Sequence, residues 1–284
     1  MGKISNTWKL VKQSFAILQQ DEELMLLPVL SAISCVAVTL SLLAGSGFFF
    51  YPQVKAAIAQ QGGWHPSNNL IVGAMFVFYL TNYFVIIFFN TALVSAASIR
   101  LEGGDPTVRD GLRAAWNRLS VVFQWALVAA TVGMILRMIE ERSSLIGRLV
   151  AGLVGLAWTL GTFFVVPVIA FENVGPIEAL HRSAELFRKS WGEEVVGTFS
   201  FGLIFTLLAL PGILLPVLGG ALAGGYGVTF GVCLMVIYFI FLSIISASTH
   251  GIFLAALYRY ATTGQISQGF SPNSFSSAWR PKSN

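Results

Sequence analysis

Long apolar runs dominate this chain. Five stretches, 24–54, 56–99, 119–136, 149–171 and 195–258, hold no Asp, Glu, Lys or Arg. A helix needs about 20 apolar residues to cross roughly 30 Å of hydrocarbon. The last stretch is long enough for two such helices, and Gly224-Gly225-Tyr226-Gly227 divides it as a turn-forming cluster. The 56–99 stretch opens on Gln60-Gln61-Gly62-Gly63 and Pro66-Ser67-Asn68-Asn69, so its helix begins near Leu70. The pattern predicts six transmembrane helices, near 25–50, 70–99, 119–138, 147–171, 195–219 and 228–258. The runs are continuous and lack the period-two alternation of a barrel strand. The expected fold class is therefore all-α: a polytopic membrane protein forming a single integral membrane domain over 1–284.

The polar segments between the runs carry a second pattern. Ile4, Trp8, Val11, Phe15 and Leu18 recur at helical spacing ahead of the first run. Val108, Leu112, Trp116 and Leu119 do so ahead of the third, and Ile177, Leu180, Ala184, Phe187 and Trp191 ahead of the fifth. Charged residues occupy the rest of each wheel. Short helices with an apolar stripe, a charged face and aromatic anchors lie in a membrane interface, which makes Trp8, Trp116 and Trp191 the expected anchors. The order of short helix followed by helical hairpin occurs three times, giving expected repeats at 1–102, 103–172 and 173–262, with 263–284 a flexible cytoplasmic tail. The ends of the even-numbered spans are alike: Arg100-Leu101-Glu102, Phe171-Glu172 and Tyr258-Arg259-Tyr260.

Charge sets the orientation. Thirteen Lys and Arg lie in the N-terminal segment, 100–118, 172–194 and 259–284, against four on the other side, Lys55, Arg137, Arg142 and Arg148. This positive-inside bias predicts three cytoplasmic-side interfacial helices and both termini in the cytoplasm, with the protein in the cytoplasmic (inner) membrane. Residues 1–23 carry six charges and no apolar h-region, so a cleavable signal is not expected. Composition agrees: 55% hydrophobic, 11% charged and a mean hydropathy of +0.74, where soluble domains hold about 25% charged residues. The net charge of +4 is spread between apolar runs in no dense patch, so no nucleic-acid partner is expected. Cys35 and Cys233 lie inside apolar runs without metal-ligand spacing and read as buried thiols.

Chemistry-bearing residues are few. His250 is the only histidine in a predicted span; it lies nine residues before Arg259, about 13 Å along the helix. With Ser246, Asn82 and Asn90 it forms a candidate intramembrane polar site, since polar groups at membrane depth are often functional. The plainer reading is a neutral imidazole bonded to a neighbouring helix. Pro211-Gly212, Pro216 and Gly219-Gly220 predict a broken fifth span, a feature of transporter sites. Glu102 and Glu172 oppose the helix dipole at span ends and invite basic partners, Arg100 or Arg109 for the first and Arg182 for the second. These pairs form a candidate interfacial clamp. No catalytic residue, metal site or cofactor is expected: there is no nucleophile elbow, phosphate-cradling loop, paired-histidine zinc motif or cysteine pair at zinc spacing.

The opening Trp8-Lys9-Leu10-Val11-Lys12-Gln13-Ser14-Phe15, then Leu18, Asp21, Glu23-Leu24 and Pro28, resembles an uncharacterised family of prokaryotic six-span membrane proteins, the domain of unknown function numbered six-one-five-nine in words. Pro167-Val168-Ile169-Ala170-Phe171-Glu172, Gly175-Pro176-Ile177-Glu178-Ala179-Leu180, Arg182-Ser183 and Trp191-Gly192 look like its most characteristic block. The closing Ala256-Leu257-Tyr258-Arg259-Tyr260-Ala261-Thr262 also fits. That block is loosely similar to the membrane domain attached to some glycerophosphodiester phosphodiesterases; no hydrolase sequence accompanies it here, so that activity is not carried over. The resemblance implies the six-span topology and no established chemistry. The expected function is that of a non-enzymatic membrane protein acting through membrane lipid, a membrane protein partner or a second copy of itself. The alternative is a small-molecule transporter or channel using the fifth span and the patch around His250, and a lipid-modifying enzyme ranks third.

Overall fold

Long runs of apolar side chains cannot face water, and in lipid every backbone N–H and C=O must be satisfied within the segment, which leaves the helix as the local solution. The computed structural model describes residues 3–59, 68–142, 145–190 and 195–271, and every regular element among them is a helix. In chain order these are α1 (Lys3–Gln20), a 3-10 turn (Glu22–Met25), α2 (Leu26–Ala59), α3 (Asn68–Leu101), α4 (Val108–Asn117), α5 (Leu119–Arg142), α6 (Leu145–Gly161), α7 (Val165–Phe171), α8 (Pro176–Ser190) and α9 (Val195–Thr263). Among the described residues, five helical segments are long and apolar enough to cross a membrane.

The last of those five, Gly202–Thr263, spans 62 residues, which as one rod would run to roughly 90 Å at 1.5 Å per residue. It does not continue as one rod. Ala223 (φ −140°, ψ 22°) and Gly224 (φ 60°, ψ −139°) leave the helical region, and Gly224 takes a left-handed φ that costs a glycine little. The chain then doubles back. Gly219 lies against the carbonyl of Gly227, Gly231 against that of Leu215, and Gly212 against the Tyr238 ring. The Tyr238 hydroxyl donates to the Leu208 carbonyl. These pairings close antiparallel on the 223–224 turn. The expected break at Pro211 and Pro216 does not occur, because the backbone stays helical through both. The Gly and Pro positions instead let two backbones approach closely, the usual service of small residues between membrane helices.

A break does occur in the fourth apolar segment. α6 ends at Gly161 and α7 begins at Val165. Pro167 has no N–H to offer, and its ring crowds the carbonyl four residues back, which is that of Phe163. The Phe164 N–H, displaced from the regular ladder, donates instead to Ser183 Oγ of α8 at 2.9 Å. Both residues are fully buried.

The core is one-ended. Its buried residues come from α1 (Leu10, Val11, Ile17, Leu18), the C-terminal half of α3 (Ala92–Ala97, Leu101), α4 (Ala115), the start of α5 (Val122, Trp125, Ala126), α7, α8 (Ala179, Leu186) and the end of α9 (Ile252–Tyr258). α3 touches α2, α4, α5, α7 and α9. Away from this charged end the rods show large apolar side chains outward, among them Leu40, Phe48, Leu153, Leu218 and Phe241. At the far end Arg137 of α5 pairs with Glu141 at 2.8 Å and donates to the Tyr79 hydroxyl of α3.

The short helices pack against this core more deeply than their stripes foretold. α4 starts with Thr107 as N-cap in a reciprocal capping box with Asp110; those hydrogen bonds hold the Asp110 carboxyl below the usual carboxylate range. Its buried face is Gly111 and Ala115, and Trp116 stands outward, 67% exposed. In α1 the face turned inward is Leu10, Val11, Ser14, Ile17 and Leu18, while Trp8 and Phe15 of the expected stripe are exposed. Two stripes thus share α1, one facing protein and one facing outward. In α8, Ala179, Ser183 and Leu186 are buried, and Ile177 and Ala184 of the expected stripe are exposed. Trp191 lies outside the described residues.

Two further expectations are corrected. Cys233 is exposed and Cys35 half-buried, because both sit on outward faces of the rods. The segment after α9 is packed as far as Ser271: Phe270 is 7% exposed in the core, the Gln268 N–H donates to the Leu101 carbonyl at 3.4 Å, and Gln13 Nε2 donates to Ser271 Oγ at 3.2 Å. Residues 264–271 form a strap across α1 and the end of α3, so a free tail does not start at 263.

Candidate functional site

Two polar features stand out, one at the charged end and one between the rods. The first is a knot that ties the ends of α3, α7 and α9. Adjacent residues of α9 supply it. Arg259 Nη1 lies 2.9 Å from Glu102 Oε1 at the end of α3. The Tyr258 hydroxyl donates to Glu172 Oε1 just after α7 at 2.8 Å, and the Tyr258 ring stacks on Phe171 with centroids 5.4 Å apart. Arg182 of α8 donates to the same Glu172 oxygen at 3.2 Å and pairs with Glu185 at 3.2 Å. These bonds, that to Glu172 first, raise the Arg182 guanidinium pKa further. Expectation and geometry differ at Glu102. Arg100 turns to Asp105 (3.8 Å) and Gln20 (3.3 Å), Arg109 stands exposed on α4, and Arg259, far off in sequence, takes the place beside Glu102.

This knot is structural glue of measurable strength. Tyr258→Phe should lower stability by about 1.5–3 kcal/mol, the usual worth of a hydrogen bond to a charged group. Thermal unfolding in detergent checks it, and an unchanged midpoint would remove the knot from the stabilising interactions.

Asp21 sits at the edge of the same end. It is buried, and its Oδ2 has no hydrogen-bond partner among the described residues. Burial pushes its carboxyl pKa up, against the pull of Arg100. A raised carboxyl pKa means that the folded state holds the proton more tightly than the unfolded one. Its contribution is most favourable at low pH and is lost as pH rises through the raised value. Asp21→Asn should therefore raise the thermal midpoint at pH 7.5 and shrink the difference between pH 5 and pH 7.5. A lower midpoint at pH 7.5 would contradict this.

The second feature is a cavity of about 930 Å³ between α3, the α6–α7 junction and the two limbs of α9. Asn90, Ser246 and His250 all line it, with Thr206 and Ser243. Asn82 is not among the lining residues; its Nδ2 donates to the Phe78 carbonyl one turn back at 2.9 Å. Ser248 and Thr249 turn to the core and bond back to the carbonyls of Ile244 and Ile245. The residues the sequence underrated here are Phe163 and Val166, placed by the break near Pro167, whose proline was the available signal. Among the described residues no set of three or more His, Cys, Asp and Glu is placed to hold a metal ion.

Of the expected anchors, Trp8 lies beneath Lys12, whose Nζ is 5.6 Å from the ring centroid. Trp116 meets Phe88 edge to face at 6.5 Å while most of its surface stays open. Both stand at the charged end, beside the knot.

Comparison with known proteins gives one family match. No curated protein and no solved structure matches the chain. The family model runs from Asn69, at the start of α3, to Phe270, the buried residue of the strap. It leaves out α1 and α2, where the opening resemblance lies. Over residues 69–270, most of its length, the chain matches the model described as a family of unknown function, DUF6159, and it belongs to that family.

Proposed function

We propose that this is a non-enzymatic protein of the cytoplasmic membrane, crossing it six times with both termini on the cytoplasmic face. In this reading it acts there through membrane lipid or a protein partner, including a second copy of itself. One observation carries the reading: core, ion pairs, short helices and outward aromatics gather at one end, and the remaining surface is plain apolar rod. Exposed Trp8, Phe15 and Trp116 beside Lys9, Lys12, Arg109 and Arg113 have the composition that binds an anionic interface, apolar rings entering the headgroup boundary and cations meeting phosphate.

The test replaces the outward anchors. Trp116→Asp and Trp8→Asp should at least halve the anionic lipid or partner recovered with the purified chain while leaving its thermal midpoint within a few degrees, since neither residue belongs to the core. Unchanged lipid recovery together with an unchanged set of co-purifying proteins would overturn the reading.

A second reading, a small-molecule transporter or channel, rests on the cavity beside His250. His250→Ala should then abolish solute flux in reconstituted vesicles. A wild-type chain that moves nothing across a broad solute panel would end it.

A further inference from the structure

Four rods each give one face to the cavity. From the second limb of α9 come Phe239, Leu242, Ser243, Ser246, Ala247, His250, Gly251 and Leu254, one continuous helical face. The first limb gives Gly202, Phe205, Thr206 and Ala209; α3 gives Asn90, Leu93 and Val94. The faces are built from small side chains at the positions that would have to be large to close the gap. Protein interiors are close-packed and leave few voids larger than a water molecule, so a space of about 930 Å³ is one that an occupant fills. It lies at the upper end of the range for small-molecule pockets, roughly 300–1,000 Å³.

The lining defines that occupant. No Asp, Glu, Lys or Arg is among the lining residues described, and an ion buried without a counter-ion is strongly disfavoured. The occupant is therefore uncharged. Its shape follows from the order of the lining. Phe205, Ala209, Phe239 and Leu242 form an apolar section toward the far end. Asn90, Ser243, Ser246 and His250 form a polar band. Leu93, Val94, Val166 and Leu254 close the space toward the charged end. Amide and hydroxyl groups both donate and accept, which suits a hydroxyl or ester. Depth narrows the choice further. His250 and Ser243 lie nine and sixteen residues before Arg259, about 13 and 24 Å along the helix. A phospholipid headgroup, being charged, does not descend so far.

We propose that the cavity binds one molecule of an uncharged lipid with a hydroxyl-bearing head, of the diacylglycerol class. Its head lies at the Asn90–Ser246–His250 band and a chain lies along Phe205, Ala209 and Phe239. This rests on the reading of the protein as one that acts through lipid, and it names the lipid and the site.

The full chain in phosphatidylcholine nanodiscs tests it. One probe is a dioleoylglycerol bearing a photoactivatable diazirine in its chain; the other is phosphatidic acid with the same chains. The expected result is at least fivefold more crosslinking by the uncharged probe, mapped within 202–209 or 239–254. Excess unlabelled dioleoylglycerol should abolish it and excess glycerol should not. Asn90→Leu removes the amide and Ala247→Trp fills the space; each should reduce crosslinking at least threefold at an unchanged elution volume. Equal crosslinking by both probes, protection by glycerol, or full crosslinking in both folded variants would overturn the proposal. If either variant fails to fold, the two-probe comparison on the wild type decides alone. No crosslinking in the cavity, with Trp116-dependent lipid recovery intact, sinks the cavity proposal alone. Cavity crosslinking without that dependence sinks the interfacial reading alone.

Discussion

Gly111→Leu should yield almost no folded protein. A Cβ at position 111 would sit 2.7 Å from the Ala92 carbonyl oxygen and 3.2 Å from the Ala96 Cβ. The obstacle is backbone of α3, fully buried at Ala92 and Ala96, and it cannot swing aside as the end of a side chain can. Gly111→Ala sets two effects against each other. Alanine favours the helix by about 1 kcal/mol over glycine, whereas overpacking a tight contact costs about 1–3 kcal/mol, so the net change is a modest loss. Leucine adds three more carbons to the same gap with no further helix gain, and the expected loss exceeds about 4 kcal/mol. The measurement is the monodisperse fraction on size exclusion, with Gly175→Leu as the control, since nothing lies within 4 Å of a Cβ there. Equal yields from both variants would show that α4 is not seated on α3 through Gly111.

Phe270→Ala should have the next largest effect, about 3 kcal/mol, at the low end for removing a core aromatic. Phe270 follows the last helix and packs into the same core as Leu18 and Leu257. A Cβ on its neighbour Gly269 would meet Ile17, and Gln13 holds Ser271, so the strap fastens α1 as well as itself. Loss of the ring should lower the thermal midpoint and also expose α1 to protease, two readouts that an unattached tail would leave unchanged. A variant identical to wild type in both would return 264–271 to the role of a free extension.

Legibility in the sequence followed the length scale of the interaction. The rods were plain because twenty consecutive apolar residues admit few other structures, and the turn at Gly224 was plain because only a glycine cluster interrupts a 64-residue apolar tract. The short helices were visible by periodicity, yet their facing was not. Val11 and Leu18 turn inward while Trp8 and Phe15, on the same stripe, turn outward. An apolar stripe is equally at home against protein or lipid, so periodicity alone cannot divide it. The break in the fourth rod had a local signal in Pro167, outweighed in reading by the louder prolines 211 and 216, which the helix tolerates. Arg259 beside Glu102, Ser183 beneath Phe164 and Phe270 in the core join residues 157, 19 and 169 or more positions apart. Such pairings depend on how the rods are arranged, which hydropathy does not encode. The cavity is the same case: Asn90, Ser246 and His250 were each visible, and only the arrangement sets Asn90 opposite the other two.

The central claim is that everything polar and packed belongs to one membrane face, and sidedness tests it most directly. With Cys35→Ser and Cys233→Ser as background, single cysteines at Arg113, Arg188, Gln265 and Lys55, all exposed, would be treated with a membrane-impermeant thiol reagent in intact spheroplasts and again after lysis. The account predicts that Lys55→Cys reacts in intact spheroplasts and that the other three react only after lysis. Reaction of Lys55→Cys and Arg113→Cys from the same side would contradict it.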